Sequence, residues 1–380
     1  MKHLYFSIVA LILFSCASVD RELYEFDPRK VRDKEVFLSD IAEDIKYIPL
    51  DDSIPIGRLT EISIGNDDII LDEATTGLLR YDLRGNLLNR IGSKGRGPNE
   101  YLYSMFFTRD NETGYIYNFS DRNNTVKVFS KEGNMIRDFR LDVGEAQIVR
   151  VVFFNSRLFI QTDMRYDVND FEWIVCDTLG RVLKTQKRHL PKFSTNYSGT
   201  GLPNIFSDRI TYYNDWTDTI YSVDKDFREK PVLVVAPGGH RYPRGYVPID
   251  QILQNIFFGV TRFIETQRYF LFQYHYHGYK MTIVDKETWT ESTFQYELDE
   301  YGMFNDLDCG LWSLPNFYYS ENGDEYLIGI QYPYQIIARA ASEEYRDSHP
   351  KIPEKKIEFE ELAASLEETD NPVIVMVKLK

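Results

Sequence analysis

The chain has 380 residues, of which 15% are aromatic, with 27 tyrosines and 25 phenylalanines. This content favours β-strands, because planar rings pack well on a half-buried pleated surface. The formal net charge of −15 would repel a polyanion over most of the surface, which excludes nucleic acid as an expected partner.

The N-terminus, MKHLYFSIVALILFSCASVD, is typical of an export signal. Lys2 and His3 precede an apolar run over residues 4–14. That run is too short for a membrane-spanning helix, which needs about 20 residues. The pattern predicts a signal peptide over residues 1–15.

Cys16 follows Leu13, Phe14 and Ser15, which resemble a bacterial lipobox, although Phe14 is bulkier than the usual residue there. The resemblance implies a lipid on Cys16, and the alternative is an ordinary signal peptide cleaved nearby. We expect the charged stretch over residues 16–36 to be a lipidated tether and residues 37–380 to be the folded domain. The predicted location is the cell envelope, with a lipid anchor in the outer membrane.

Cys176 and Cys309 are isolated cysteines, and neither lies at CxxC spacing from a second ligand. In an exported chain of this length, two cysteines do not make a disulfide framework. We expect both to be packing residues.

A four-strand unit recurs along the chain. Residues 104–141 contain four short runs rich in aromatic and β-branched residues, separated by Asn, Asp and Gly turns. Similar third runs begin at Leu79, Val126, Trp173, Thr219 and Met281, and these starts are 47, 47, 46 and 62 residues apart. A period in the forties with four strands per unit indicates the blades of a β-propeller.

The sixth unit is completed by both ends of the domain. EYLIGIQYPYQII, residues 325–337, supplies a second strand, and NPVIVMVKLK supplies a third at the C-terminus. IKYIPLDD, residues 45–52, alternates apolar with polar residues and can add the outer strand, which removes an exposed sheet edge. The prediction is an all-β, six-bladed propeller of four-stranded antiparallel blades, with short helical insertions near residues 248–257 and 355–372.

The loop IGSKGRGPNEY, residues 91–101, could cradle a phosphate or could be a turn between blades. A phosphate loop needs a Lys and Ser/Thr pair and a following helix, whereas a strand is predicted next. We therefore interpret Gly92, Gly95 and Gly97 as turn residues. Together with YIYNFSDRNNTVKVFSKEG, in which Asp121 and Asn124 would hold loop amides, the loop resembles an NHL repeat.

Almost the whole mature sequence is similar to the six-bladed β-propeller lipoproteins of unknown function found in Bacteroidales. LSDIAEDIKYIPL and the ending DNPVIVMVKLK carry this resemblance outside the first two blades. The resemblance implies a fold and a location, and it implies no activity.

Successive strands of a blade run in opposite directions. The loops between blades should therefore lie on the same face of the propeller as the loops that join second to third strands. This crossing face collects the long and varied loops, so we expect a ligand there, around the central channel. The candidate ligand residues are Arg96, Glu100, Tyr101, His189, Tyr197, His240, Arg241, Tyr242, Arg244 and Tyr246. Arg and Tyr side chains suit a carboxylate, a sugar or a peptide. The alternative is that each only braces its loop or pairs with a nearby acid.

Three functions remain open, of which the third is a scaffold in a larger envelope complex. The first is a non-enzymatic binding propeller that engages a glycan, a peptide or an envelope protein. The second is a metal-dependent hydrolase or lyase with an ion such as Ca²⁺ or Zn²⁺ in the channel. His275 and His277 are the only candidate ligands we identify for such an ion, and no third ligand follows at recognisable spacing.

Overall fold

The computed structural model describes residues 23–97, 99–119, 124–165, 167–197, 202–214, 216–254, 256–296, 303–311 and 314–380. The predicted signal peptide, Cys16 and Asp121 lie outside the described residues. The described strands form six main sheets, which are the six blades of a β-propeller. The predicted fold class is confirmed.

The N-terminal segment is held along the outside of the propeller. It contains β1 (Tyr24–Phe26), α1 (Leu38–Ile41) and β2 (Ala42–Pro49). β1 pairs in parallel with the outermost strand of the fourth blade, and Asp33 bridges to Thr293 of the fifth. Residues 24–36, which belong to the segment predicted to be a tether, therefore follow the edges of two blades.

Blades 1 and 2 each contain four antiparallel strands, numbered from the channel outward. Blade 1 comprises β3 (Leu59–Ile64), β4 (Asp68–Glu73), β5 (Gly77–Asp82) and β6 (Leu87–Ile91). The loop to blade 2 contains a short parallel pair, β7 (Ser93–Lys94) and β8 (Glu100–Tyr101). Blade 2 comprises β9 (Phe106–Arg109), β10 (Ile116–Phe119), β11 (Thr125–Phe129) and β12 (Met135–Arg140).

Blades 3 and 4 repeat this order, and β1 makes blade 4 five-stranded. Blade 3 comprises β13 (Ile148–Phe154), β14 (Arg157–Thr162), β15 (Phe171–Cys176) and β16 (Val182–Lys187). Blade 4 comprises β17 (Asn204–Phe206), β18 (Arg209–Tyr212), β19 (Thr219–Asp224) and β20 (Glu229–Val235).

The predicted insertion before blade 5 contains a 3-10 helix (Gly238–His240) and α2 (Ile249–Leu253). Ile252, Ile256 and Phe257 pack inward around it. Blade 5 comprises β21 (Gly259–Glu265), β22 (Tyr269–His275), β23 (Tyr279–Asp285) and β24 (Glu291–Tyr296).

Blade 6 contains a helical insertion between its second and third strands. Its elements are β25 (Phe317–Glu321), β26 (Asp324–Gln331), α3 (Pro333–Ala341), α4 (Glu343–Arg346), α5 (Pro353–Ser365) and β27 (Val373–Leu379). The helix predicted within residues 355–372 is confirmed as α5. The strand predicted over residues 325–337 is wrong beyond Gln331, because Pro333 has no amide proton for the sheet and instead begins α3.

The ring is closed by the N-terminal strand, as predicted. β2 is the outermost strand of blade 6 and pairs antiparallel with β27, from Ala42 opposite Leu379 to Pro49 opposite Val373. The contact covers the outer edge of β27 and joins the two ends of the domain.

The hydrophobic core is a ring of six clusters, one between each pair of neighbouring blades. Second strands are therefore covered on both faces, and all six residues of β4 are buried. Cys176 lies in the cluster between blades 2 and 3, where burial raises the pKa of its thiol to about 12. Cys309 is also buried with a free thiol, so both cysteines are packing residues as expected.

Candidate functional site

A cavity of about 720 Å³ occupies the central channel and is lined by the first strand of every blade. Its lining continues past the ends of these strands to Asn66, Asn111, Asn155 and Ser207. The cavity therefore reaches the hairpin face, which carries the turns between first and second strands and lies opposite the crossing face. Its volume lies within the range of about 300–1,000 Å³ that is usual for small-molecule sites.

Three of the six first strands carry a one-residue β-bulge at the same level of the channel. The bulged residues are Thr60 in β3, Val149 in β13 and Thr261 in β21. Each bulge is followed by a charged residue that lines the cavity: Glu61, Arg150 and Arg262, which we call the channel triad. A bulge redirects the side chains that follow it, and bulges are common beside functional sites.

The charges of the channel triad are unequally paired. Arg150 forms an ion pair with Glu61 and lies over the ring of Phe106, with 5.8 Å between the guanidinium carbon and the ring centroid. Burial, with a contribution from the positive charge of Arg262, lowers the pKa of Arg150 to about 10. Burial likewise lowers the pKa of Arg262 to about 10. Both side chains therefore stay cationic at neutral pH.

Arg262 has an aromatic neighbour but no acidic partner in the described part of the chain. Its guanidinium carbon lies 5.2 Å from the centroid of the Phe317 ring. None of the carboxylates at described positions forms an ion pair with it, whereas Arg150 is paired with Glu61. The channel triad therefore presents two cations and one anion to the cavity.

The rest of the cavity wall combines aromatic rings, small polar groups and five charged residues, which are Arg109, Asp110, Glu112, Asp208 and Lys225. Phe153 and Tyr318 contribute rings, and Ser63, Asn204 and Asn316 contribute hydroxyl and amide groups. The Tyr318 hydroxyl donates to Glu325 at 2.6 Å, so it is already engaged. Such a wall suits a ligand that combines flat apolar surfaces with several hydrogen-bonding groups.

The strand order places the ten predicted ligand residues on the crossing face, and none of them lines the cavity. Arg96 is exposed. The Glu100 carboxylate accepts from the Gly97 amide at 2.5 Å, and the buried Tyr101 hydroxyl accepts from the Leu78 amide at 2.8 Å. Glu100 and Tyr101 thus brace the loop between blades 1 and 2.

The glycine-rich loop is a turn in the structure. Gly92 has φ +62°, in the left-handed region. A Cβ atom on Gly95 would overlap the Glu100 carboxylate. The next elements are strands, and the carboxylate occupies the position where a phosphate loop would need an anion.

His189 belongs to a network between blades 3 and 4, which we call the His189 cluster: Glu172, Trp173, His189, Tyr212 and Glu229. The His189 ring lies 2.6 Å from Glu229, whose carboxylate also accepts from Trp173 at 2.8 Å and from the Tyr212 hydroxyl. The same hydroxyl lies 3.1 Å from Glu172, which accepts the His189 backbone amide at 3.0 Å. Both carboxylates, the Trp173 indole and the Tyr212 hydroxyl each have a partner.

The surroundings shift the pKa values of the two carboxyl groups in opposite directions. Burial raises the pKa of Glu172 above its ordinary value. Burial also acts on Glu229, but hydrogen bonds from His189, Tyr212 and Trp173 outweigh it and lower its pKa. The hydrogen bond to Glu229 raises the pKa of His189, whose ring also stacks on Tyr221. The network favours a cationic His189 beside an anionic Glu229.

The structure brings Tyr197, Tyr242 and His275 together on the crossing face, which we call the Tyr242 cluster. The rings of Tyr197 and Tyr242 are stacked, and the Tyr242 hydroxyl lies 2.8 Å from Nε2 of His275. Nδ1 of His275 lies 2.9 Å from the Gly259 carbonyl oxygen, which can only accept. Nδ1 therefore carries the proton, and Nε2 accepts from Tyr242. In this arrangement neither ring nitrogen of His275 is available to a metal ion.

The remaining predicted residues lie around this cluster. Arg241 pairs with Asp218, and Arg244 is exposed and donates to the Trp216 carbonyl at 3.4 Å. Tyr246 is 77% exposed. The ring centroids of His240 and His277 lie 6.3 Å apart, and His277 is placed beyond the end of β22 with φ +52°. His277 therefore does not join His275.

Among the described residues, no three His, Cys, Asp or Glu side chains lie close enough to hold a metal ion. In the same residues, no helix combines the length and the apolar character required to cross a bilayer.

Sequence reasoning missed the channel triad. Its only sequence signal is a charged residue inside an otherwise apolar first strand, as in IVRVVFF of β13. The bulge that orients each charge depends on pairing with the second strand and has no signature of its own in the sequence.

A family model described as a domain of unknown function, DUF4934, matches residues 24–378. Among solved structures, the chain is similar to a Bacteroides fragilis protein inferred to be exported, with 19% identity, a TM-score of 0.71 and coverage of 94% of this chain and 100% of that one. It is also similar to a member of the DUF4221 family from Bacteroides vulgatus, with 10% identity, a TM-score of 0.51 and coverage of 89% and 97%. No curated protein matches the chain.

Proposed function

The chain belongs to the DUF4934 family, and we propose that it is an exported, lipid-anchored binding protein whose ligand occupies the central channel. The observation that carries this proposal is the cavity of about 720 Å³, with Arg262 in its wall and no acidic partner for Arg262 in the described ranges. Arg262 is partly buried, and a partly buried charge without a partner loses hydration that nothing replaces, so the site is better suited to receiving a ligand than to holding the fold together.

The choice of the channel over the crossing face follows from how the polar groups are used. On the crossing face, Tyr101, Tyr242 and His275 are engaged with other parts of the protein. In the channel, Arg262 is left with an aromatic neighbour only, as far as the described residues show. A glycan or a short peptide has the mixture of apolar surface and hydrogen-bonding groups that the cavity wall suits.

Export and anchoring are supported by the N-terminal sequence. An apolar run over residues 4–14 precedes Cys16 in a segment that resembles a lipobox. The similar Bacteroides fragilis protein is itself inferred to be exported. Labelling of cells with an alkyne fatty acid should mark the wild-type protein and leave Cys16→Ser unmarked; equal labelling of the two would contradict the anchor.

The binding function is tested by thermal unfolding of the full chain with neutral and acidic oligosaccharides and short peptides, each at millimolar concentration. A ligand that binds the native state raises the melting temperature. We expect at least one response, and we expect Ser63→Trp, which places a bulky ring in the channel, to abolish it. Ser53→Trp, at an exposed position outside the cavity, is the matched control. No response in the panel, or an equal response in Ser63→Trp, would contradict the proposal.

A further inference from the structure

We propose that the channel selects ligands that carry a carboxylate or another oxyanion, and that Arg262 is the residue that binds this group. The inference rests on the proposed channel-binding function and adds to it the chemical class of the ligand.

The first step is the charge balance at the level of the bulges. Glu61 and Arg150 neutralise each other through their ion pair, even though they come from blades 1 and 3. Arg262 comes from blade 5 and lies close enough for its charge to act on Arg150. The channel triad therefore carries one net positive charge, which a single anionic group would neutralise.

The second step is the geometry of the guanidinium group. Arginine presents its N–H donors in a planar fork that matches the two oxygens of a carboxylate or a phosphate. The Phe317 ring, 5.2 Å from the guanidinium carbon, restricts the orientation of that plane. A cation held in this way needs little reordering when an anion binds.

The third step concerns the surface. The protein carries a net charge of −15, which by itself disfavours anions. Surface charges are screened beyond about 10 Å at 0.1 M salt, whereas charges inside a cavity are screened much less. Selection for an anion therefore depends on the channel triad, and its effect should survive at physiological ionic strength.

The experiment compares two sugars that differ at one group, glucuronate and glucose, by calorimetry and thermal unfolding of the full chain. Inorganic phosphate is a third probe that distinguishes a phosphate from a carboxylate source. We expect glucuronate or phosphate to bind and glucose to bind at least tenfold more weakly. Arg262→Gln should weaken oxyanion binding by about 10- to 100-fold, the usual loss for a charged hydrogen bond. Arg140→Gln, an exposed arginine on the outermost strand of blade 2, should not.

Arg262→Lys keeps the charge and removes the fork, so we expect a smaller but measurable loss of oxyanion affinity. The inference is overturned if neither oxyanion binds, or if Arg262→Gln binds the oxyanion as well as wild type does. In either case the binding function still holds when Ser63→Trp abolishes the response to a neutral oligosaccharide or peptide. Oxyanion binding that survives Ser63→Trp contradicts the channel as the site and overturns both proposals.

Discussion

The channel triad and the His189 cluster both gather charged side chains away from bulk water, but they differ in how completely those charges are paired. In the His189 cluster, Glu229 accepts from three donors, and Glu172 accepts a backbone amide and lies beside a hydroxyl. In the channel, Arg150 has Glu61, whereas Arg262 contacts the Phe317 ring and has no ion-pair partner among the described residues. A network whose charged groups are paired stabilises the fold, whereas a charged group without a partner is available to bind a ligand.

The largest expected effect is a loss of stability when the His189 cluster is disrupted. Glu229→Ala removes the acceptor of Trp173, Tyr212 and His189 at once, and we expect it to lower the free energy of unfolding by about 3 kcal/mol. Urea denaturation followed by tryptophan fluorescence measures the change. Glu287→Ala is the control, because that side chain is 73% exposed. A loss below about 1 kcal/mol for Glu229→Ala would show that the cluster does not hold blades 3 and 4 together.

The second prediction compares the contributions of the two channel arginines, Arg150 and Arg262, to stability. Arg150→Met leaves Glu61 without its cation, and we expect a loss of about 2 kcal/mol. Arg262→Met removes a cation that has no described acidic partner, so we expect stability within about 1 kcal/mol of wild type or above it. Both are measured by urea denaturation without added ligand. Equal losses in the two variants would mean that Arg262 has a structural partner and would remove the contrast.

The fold was predictable because each blade repeats the same local sequence pattern. The third strands inferred near Leu79, Val126, Trp173, Thr219 and Met281 all lie in β5, β11, β15, β19 and β23. Apolar runs flanked by turn residues mark such strands without reference to the rest of the chain. Closure by β2 was also predictable, since a third strand at the C-terminus leaves an edge to be covered.

The other features of the structure depend on contacts between distant parts of the chain, which no local sequence pattern reveals. β1 joins blade 4 in parallel through only three residues, too few for a periodic pattern. Glu61 meets Arg150 only because the ring brings blades 1 and 3 to the same channel. Crossing-face residues such as Tyr242 looked available to a ligand, but their partners, including His275, come from distant parts of the chain.

The third prediction extends the comparison to the turn between blades 1 and 2. The Tyr101 hydroxyl is buried and accepts the Leu78 amide at 2.8 Å. Tyr101→Phe leaves that amide without its acceptor, and we expect a loss of about 1 kcal/mol, measured by urea denaturation. Channel binding should be unchanged, because Tyr101 lies outside the cavity. A binding defect at unchanged stability would instead assign Tyr101 to a ligand site on the crossing face.

The smallest expected effect is the pH dependence of the His189 cluster. The hydrogen bond to Glu229 raises the pKa of His189 in the folded state above its ordinary value of 6.5. The stability that protonated His189 contributes is therefore fully present below pH 6.5 and is lost as pH rises through the folded-state pKa. His189→Gln removes this titration, and the difference between the two proteins cancels the titration of groups elsewhere.

We expect wild type to exceed His189→Gln in unfolding free energy by less than about 1 kcal/mol near pH 6, because the side chain is partly exposed to solvent. The gap should shrink toward pH 9, as measured by urea denaturation across this range. Glu229 does not reverse this trend, since its lowered pKa keeps it ionised throughout. A gap that widens with pH would mean that neutral His189 is the form held in the folded state. The cluster would then include a neutral histidine acting as an acceptor, and its donors would have to be assigned again.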